Sequence, residues 1–102
     1  MTTTTADLIK EINALQKVIA AGHWETAKVQ AEAITSRWTR IEPFWSLFFN
    51  DNYLQDIELK LADLTQQIKG KSHLNAQISA TNLKVMFTQL SRGQHLTLSN
   101  LL

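Results

Sequence analysis

One apolar stripe constrains the fold of this chain more than any other feature. Eight apolar side chains recur every three or four residues and include all three tryptophans of the chain: Trp24, Ala27, Ala31, Ile34, Trp38, Ile41, Trp45 and Phe48. This spacing aligns the side chains along one seam of an α-helix that lies nearly parallel to a neighbouring helix. The stripe therefore predicts a bundle of long helices, and it specifies no function by itself.

Three other segments have apolar residues at the same spacing, and each predicts a further amphipathic helix. Their seams are Leu8, Ile12, Leu15 and Ile19, then Leu54, Ile57, Leu61, Leu64 and Ile68, and finally Ala76, Ala80, Leu83, Phe87 and Leu90. Because glycine accepts the left-handed conformation that ends many helices, we expect Gly22, Gly70 and Gly93 to end the first, third and fourth helices.

Polar residues mark where the helices begin. Thr4, followed three residues later by Asp7, resembles a capping box, so the first helix is expected to begin at or just after this threonine. Asn50 can cap the third helix and Ser72 the fourth. Pro43 lies inside the long stripe without changing its phase. We expect either a kinked continuous helix or a helix that restarts with Pro43 in its first turn.

The length of the chain fits one domain, since 102 residues can build a single thin core. We expect an all-α antiparallel bundle of four helices over residues 6–102, preceded by a flexible lead-in over residues 1–5. The second and third helices would be joined through a kink or tight turn at Pro43. Three glycines and one proline are too few for the many turns of an all-β fold.

Composition and charge exclude several classes of function. The absence of cysteine excludes disulfides, thiolate metal sites and cysteine nucleophiles. A net charge of +1 gives no global field that would indicate nucleic acid. All nine acidic residues lie within residues 1–63, whereas four basic residues follow: Lys69, Lys71, Lys84 and Arg92. Either the basic last helix packs beside the acidic third helix, which we favour, or these cations form a patch for phosphates or anionic lipid.

No group of side chains indicates catalysis, a metal or a cofactor. The three histidines are His23, His73 and His95. None of them has another histidine or a carboxylate at metal-ligand spacing on one helix face. Asp56, Lys60 and Asp63 follow one helical face, and a lysine between two carboxylates is typical of a solvated ion-pair ladder rather than of a catalytic pair. We therefore predict that the protein is not an enzyme and that it uses no metal or cofactor.

The densest aromatic segment of the chain is the strongest functional signal. Five of the eight aromatic residues fall within ten residues: Phe44, Trp45, Phe48, Phe49 and Tyr53. Four of them make a helical face wider than one seam, with Leu47 off that face. They can form an aromatic core at the kink near Pro43, or an exposed patch that binds a partner. We take the five as candidate partner-binding residues; a haem or flavin pocket would need a ligand or phosphate anchor that is not evident here.

At these residues the chain resembles a family of small bacterial proteins, mostly Gram-positive, that is known only as a domain of unknown function. The resemblance covers residues 8–102. It rests on Trp24-Glu25 with Ala27, the spaced Trp38 and Trp45, the seam residues Ile57, Leu61 and Leu64, Leu83 in the last helix, and the terminal Leu98-Ser99-Asn100-Leu101-Leu102. The family usually has a histidine where this chain has Asp51. Most members have an N-terminal membrane helix before a helical extracytoplasmic part, and that helix is missing here.

The resemblance and the aromatic segment together give a functional hypothesis. We expect a non-enzymatic interaction or structural domain, the soluble part of a bacterial envelope-associated protein on the extracytoplasmic side. Its partner would be a protein or a second copy of itself, not nucleic acid, and contact with a membrane would come only through a missing N-terminal anchor. The alternative is a bundle that binds a small apolar or lipid-like ligand in a pocket lined by Trp24, Trp38 and Trp45.

Overall fold

A computed structural model of the chain describes the backbone of residues 4–101 and the side chains of residues 4–93. The described residues form four α-helices: α1 (Thr5–Ala20), α2 (Trp24–Trp45), α3 (Asp51–Lys69) and α4 (His73–Leu101). α1 packs against α2 and α4, and α3 packs against the same two helices. With short connections between successive helices, this pattern is an antiparallel bundle, and the predicted fold class is confirmed.

The predicted seams meet in one hydrophobic core. Every seam residue of α1, α3 and α4 is buried, and so are five residues of the long stripe on α2: Ala27, Ala31, Ile34, Trp38 and Trp45. The side chains of Trp38 and Phe87 meet inside the bundle, with ring centroids 5.6 Å apart. Because burying one large apolar side chain contributes about 1.5–3 kcal/mol, this core is the main source of stability.

Two predicted caps begin α1 and α3. The Thr4 hydroxyl accepts a hydrogen bond from the Asp7 N–H (3.2 Å), and the Asp7 carboxylate accepts one from the Thr4 N–H (3.0 Å). Hydrogen bonding of the Asp7 carboxyl to Thr4, to its backbone N–H first and its side chain second, holds the pKa of Asp7 below its usual value. The Asn50 side chain accepts from the Tyr53 N–H at 2.9 Å. α1 starts directly after Thr4, and residues 1–3 of the predicted lead-in lie outside the described residues.

The three glycines have different structural roles. Gly22 ends α1 as predicted, with φ of +75°. Gly70 caps the end of α3 as predicted, but its φ is −82°, and the left-handed residue is the following Lys71, with φ of +54°. The prediction that Gly93 ends α4 was wrong, because the helix continues to its end at residue 101. A side chain is absent there for another reason: a Cβ on Gly93 would lie 2.5 Å from Cζ of Phe49.

α2 runs without interruption through Pro43 and ends two residues later at Trp45. Of the two alternatives, the continuous helix is therefore the one observed, and the connection to α3 is the segment 46–50. Because proline has no N–H, the carbonyl of Thr39 loses its helical hydrogen-bond partner close to the end of α2. The Ser46 hydroxyl donates to the Pro43 carbonyl at 2.6 Å and so satisfies one of the last carbonyls of the helix.

Polar side chains fix how α4 lies on α1. The Gln77 amide donates to the Gln16 carbonyl at 2.9 Å, and the ammonium of Lys84 donates to Oδ1 of Asn13 at 3.0 Å. Both side chains of α4 are therefore directed sideways toward α1.

Candidate functional site

The candidate residues lie where α2 turns into α3. The N–H groups of Leu47 and Phe48 donate to the carbonyls three residues earlier, those of Phe44 and Trp45, at 3.2 and 3.0 Å. Hydrogen bonds over three residues wind the chain more tightly than an α-helix does. The helical phase of the long stripe therefore ends after Trp45, and the segment 46–50 follows no helical seam.

The aromatic rings of all five candidate residues form a continuous chain through this turn. Centroid distances are 5.4 Å for Phe48 and Phe44, 5.3 Å for Phe44 and Trp45, 6.0 Å for Trp45 and Phe49, and 5.8 Å for Phe49 and Tyr53. Most of the pairs are edge-on or tilted, which is the favourable geometry for aromatic rings. The structure thus brings the five predicted residues together, and it also divides them between core and surface.

Three of the five residues belong to the inner side of the turn. Trp45 is buried, and the half-buried rings of Phe49 and Tyr53 pack against the core. The ring of Phe49 fills the space over Gly93, so this contact ties the turn to α4. Substituting Phe49 would disturb the core as well as any partner contact, and the residue is therefore unsuitable as a test of binding.

The hydroxyl of Tyr53 anchors the turn to α4 as well. It donates to Oε1 of Gln89 at 2.7 Å and lies 3.2 Å from the carbonyl oxygen of Met86. Burial, and secondly the nearby carboxylate of Asp56, raise the pKa of Tyr53 above its usual value. The hydroxyl thus stays protonated and acts as a structural donor.

The outer side of the turn is apolar and open to solvent. Phe44 is 47% exposed and Leu47 is 75% exposed, while Phe48 is half-buried. We refer to Phe44, Leu47 and Phe48 as the turn surface. The sequence pattern places Leu47 off the aromatic face, and in the structure Leu47 is the most exposed large apolar side chain among the described residues. The signal that could have found it is its position after Pro43, where a helix is expected to end.

The three tryptophans do not occupy equivalent places. Trp38 and Trp45 are buried in the core. Trp24 is half-buried at the opposite end of the bundle, where it lines a cleft of about 120 Å³ with Glu25, Lys28, Ile68, Lys69 and Lys71. Its ring contacts that of His73 edge-on at 4.7 Å. A small-ligand pocket lined by all three tryptophans therefore stays a prediction. The separation of Trp24 from Trp38 and Trp45 does not favour it.

The basic residues that follow residue 63 are distributed along the bundle. Lys69 and Lys71 lie near the start of α4 beside Lys28, whereas Lys84 contacts α1. Arg92 follows eight residues later, about 12 Å further along the helix. The last helix packs beside the third, as expected, but among the side chains of residues 4–93 no ion pair joins α3 to α4.

The described ion pairs lie elsewhere in the bundle. Arg37 of α2 pairs with Glu11 of α1. Within α3, Lys60 lies 3.8 Å from Asp63, which forms one half of the predicted ladder. Exposed pairs of this kind contribute at most about 1 kcal/mol each. They support the helices and do not form a site.

The described residues also lack a metal site and a membrane-spanning helix. No three His, Asp or Glu side chains in this part of the chain gather closely enough to hold a metal ion. His23 and His73 are exposed, and the side chain of His95 lies outside the described range. None of the helices, over the residues described, combines the length and the apolar composition needed to cross a membrane.

Comparison with known proteins identifies the family of the chain. The family described as "Domain of unknown function (DUF4363)" matches residues 1–101. The chain belongs to this family. The match confirms the resemblance to a domain of unknown function that the tryptophans and the apolar seams indicated. No curated protein and no solved structure matched the chain. The family description names no function. The function is therefore inferred from the surface of the bundle.

Proposed function

We propose that the chain is a protein-interaction domain that contacts its partner, another protein or a second copy, through the turn surface. The observation that carries the proposal is the exposure of Phe44 and Leu47 side by side at one turn. Burying a fully exposed large apolar side chain contributes about 1.5–3 kcal/mol, and a partner that covers both residues gains the fraction of that amount that is still exposed, about half for Phe44 and three quarters for Leu47. Single exposed apolar residues are ordinary, whereas adjacent ones mark contact surfaces.

The Phe44 ring of the turn surface is held in place by its neighbours, which favours binding. The Phe44 ring is held between the rings of Trp45 and Phe48, and Trp45 itself is fixed in the core. A partner that covers Phe44 therefore immobilises few side-chain rotamers, so less of the gain from burial is lost as conformational entropy.

A non-enzymatic role is part of the proposal. Among the described side chains, hydroxyl groups donate to backbone carbonyls or to glutamine side-chain oxygens, and the Thr81 hydroxyl accepts from the Gln16 amide. None of these hydrogen bonds joins a hydroxyl to a histidine or carboxylate base. A nucleophile activated for catalysis needs such a base within hydrogen-bond reach. The perturbed pKa of Tyr53 has a structural cause, since its hydroxyl anchors the turn to α4.

An envelope setting is the other part of the proposal, and the family resemblance supports it. We propose that the domain functions on the extracytoplasmic side of a bacterial envelope. Fractionation of the source cells, with an antibody against the domain, tests this. We expect the protein in the envelope fraction, and recovery in the cytosolic fraction alone would contradict the proposal.

The contact surface is tested by photo-crosslinking in the source cells. A benzophenone amino acid replaces Leu47 in one variant and Leu59, an apolar residue of α3 with 57% exposure, in a matched control. We expect a discrete adduct from position 47 and none from position 59. An adduct of twice the chain mass identifies a second copy as the partner. If neither position gives an adduct, or both give the same smear, the turn surface is not the contact site.

The contribution of the side chain is measured with Leu47→Ser and the matched Leu59→Ser. Both side chains are mostly in solvent, so thermal unfolding should stay within about 0.5 kcal/mol of the parent for each variant. With the partner that the crosslinking identifies, we expect Leu47→Ser to weaken binding about tenfold and Leu59→Ser to leave it unchanged. Equal affinities for the two variants would contradict the assignment of Leu47 to the interface.

A further inference from the structure

The cleft at the end of the bundle opposite the turn surface is lined mainly by charged side chains. Trp24, Glu25 and Lys28 come from the start of α2, Ile68 and Lys69 from the end of α3, and Lys71 from the connection between α3 and α4. Three of the six lining residues are lysines and one is acidic, so the cleft has a formal charge of +2. We refer to it as the basic cleft.

The three ammonium groups of the basic cleft are not neutralised within the bundle. Among the side chains of residues 4–93, neither of the two ion pairs includes Lys28, Lys69 or Lys71. Glu25 and Glu32 flank Lys28 on α2 at three and four residues, yet neither carboxylate pairs with it there. Like charges gathered around one cleft repel each other. An anion between them would replace this repulsion with attraction.

The backbone places Lys71 at the cleft in an unfavourable conformation. Its φ is +54°, and no other residue apart from glycine has a positive φ within the described part of the chain. Side chains with a Cβ rarely adopt this conformation. Gly70 directly precedes Lys71 but has φ of −82°, so the left-handed position is occupied by the lysine and not by the adjacent glycine. Since strained residues of this kind cluster at functional sites, the conformation favours a binding role for Lys71.

The other lining residues limit the size of what the cleft can hold. Ile68 is buried, and the half-buried ring of Trp24 is held by its edge-on contact with His73. These apolar walls have a low dielectric constant, which concentrates the field of the lysines in the cleft. Its volume of about 120 Å³ is well below the roughly 300–1,000 Å³ of pockets that enclose a drug-sized ligand. The space therefore fits one compact anionic group.

We propose that the basic cleft binds a phosphomonoester group. Such a group carries a charge of about −1.5 to −2 at pH 7, which matches the formal charge of +2 that the cleft presents. Its three terminal oxygens can each accept a hydrogen bond from one of the three ammonium groups. A carboxylate has one charge and two oxygens, so it would leave part of the charge of the cleft unneutralised.

The proposal goes beyond the proposed function and can fail separately from it. The basic cleft and the turn surface lie at opposite ends of α2, roughly 30 Å apart at 1.5 Å per residue. Lys28 is half-buried, and Lys69 and Lys71 are exposed. Because water weakens attraction between exposed charges, we expect free phosphate to bind with a dissociation constant of about 1 mM.

NMR titration of the ¹⁵N-labelled chain with sodium phosphate tests the site. The three tryptophans give three indole N–H signals, and the variant Trp24→Phe identifies that of Trp24. We expect this signal and the backbone amides of residues 68–72 to shift saturably, while the indole signals of the buried Trp38 and Trp45 stay in place. Sodium acetate at the same ionic strength should give no saturation. No shift, or equal shifts in both salts, would refute the site.

Charge variants with opposite expected effects test the named residues. Lys28→Gln should weaken phosphate binding about fivefold, whereas Arg40→Gln, about 18 Å further along α2, removes the same charge and should leave binding unchanged. Glu25→Gln should strengthen binding by a similar factor. Lys71→Gly should weaken it even though the substitution relaxes the backbone, so unfolding cannot explain the loss. Equal effects of Lys28→Gln and Arg40→Gln, or weaker or unchanged binding by Glu25→Gln, would overturn the proposal.

Vesicles distinguish a lipid headgroup from a soluble phosphomonoester. Flotation compares phosphatidylcholine vesicles with vesicles that also contain phosphatidic acid, whose headgroup is a phosphomonoester. Binding to phosphatidic acid that Lys28→Gln weakens more than Arg40→Gln does supports a lipid as the source of the group. Saturation by free phosphate without binding to either vesicle supports a soluble ligand. Binding to neither phosphate nor phosphatidic acid would refute the proposal, and so would vesicle binding that both variants weaken equally.

Discussion

The contact between Phe49 and Gly93 gives the sharpest test of how the turn is held. A Cβ at position 93 would lie 2.5 Å from Cζ and 2.9 Å from Cε1 of the Phe49 ring, both shorter than atoms in contact allow. The ring would have to move, and with it the stacked ring of Tyr53, 5.8 Å away. Overpacking of this kind costs about 1–3 kcal/mol.

A second effect of the same substitution has the opposite sign. Gly93 lies inside α4, where alanine is favoured over glycine by about 1 kcal/mol. We therefore expect Gly93→Ala to destabilise the protein by about 0–2 kcal/mol net. Since one kcal/mol shifts the midpoint of a domain of this size by roughly 4–8 °C, the largest expected loss of 2 kcal/mol would lower the melting temperature by about 8–16 °C.

A double-mutant cycle separates the two effects. Phe49→Ala removes the ring, so in that background Gly93→Ala should raise the free energy of unfolding by about 1 kcal/mol, as in an open helix. The coupling between the two positions, measured by urea unfolding of the four proteins, should therefore be about 1–3 kcal/mol. If Gly93→Ala stabilises the parent as much as it stabilises the Phe49→Ala variant, the ring does not lie over the glycine and the reasoning fails.

Three other predictions follow from the backbone and the titratable groups. Lys71→Gly should stabilise the protein by about 0.5–1 kcal/mol in thermal unfolding, because φ is +54° there. Gly22→Ala should destabilise it by about 1 kcal/mol, because φ is +75° at that position. Changes in the free energy of unfolding that have the same sign for both variants would refute this. Tyr53→Phe should lose about 1 kcal/mol of hydrogen bonding. The parent should also lose stability as the pH rises through the raised pKa of Tyr53, and the variant should lack that loss. Asp7→Asn removes a carboxyl whose pKa is lowered in the folded protein. In the parent, the stability that this carboxyl contributes is present above its unfolded pKa and is lost as the pH falls through its folded pKa, and the variant should lack that loss. Unchanged pH profiles would contradict both assignments.

The fold was predictable because its determinants are local. The three-and-four spacing of the seams depends only on helix geometry, and every seam residue of α1, α3 and α4 is buried. The capping box of Thr4 and Asp7 is equally local, since both partners lie within one turn. Gly93 shows the limit of such reasoning. The approach of Phe49 brings together residues that are distant in the sequence, so a glycine needed for space was indistinguishable from one that ends a helix.

The candidate site was predictable only in part. The clustering of Phe44, Trp45, Phe48 and Phe49 in sequence correctly indicated that their rings meet. Which ring faces solvent depends on where α2 ends. Extending the stripe assumed helical phase as far as Phe48, but the helix ends at Trp45 and the tighter turn brings Phe49 onto the core instead. The exposure of Leu47 has the same origin.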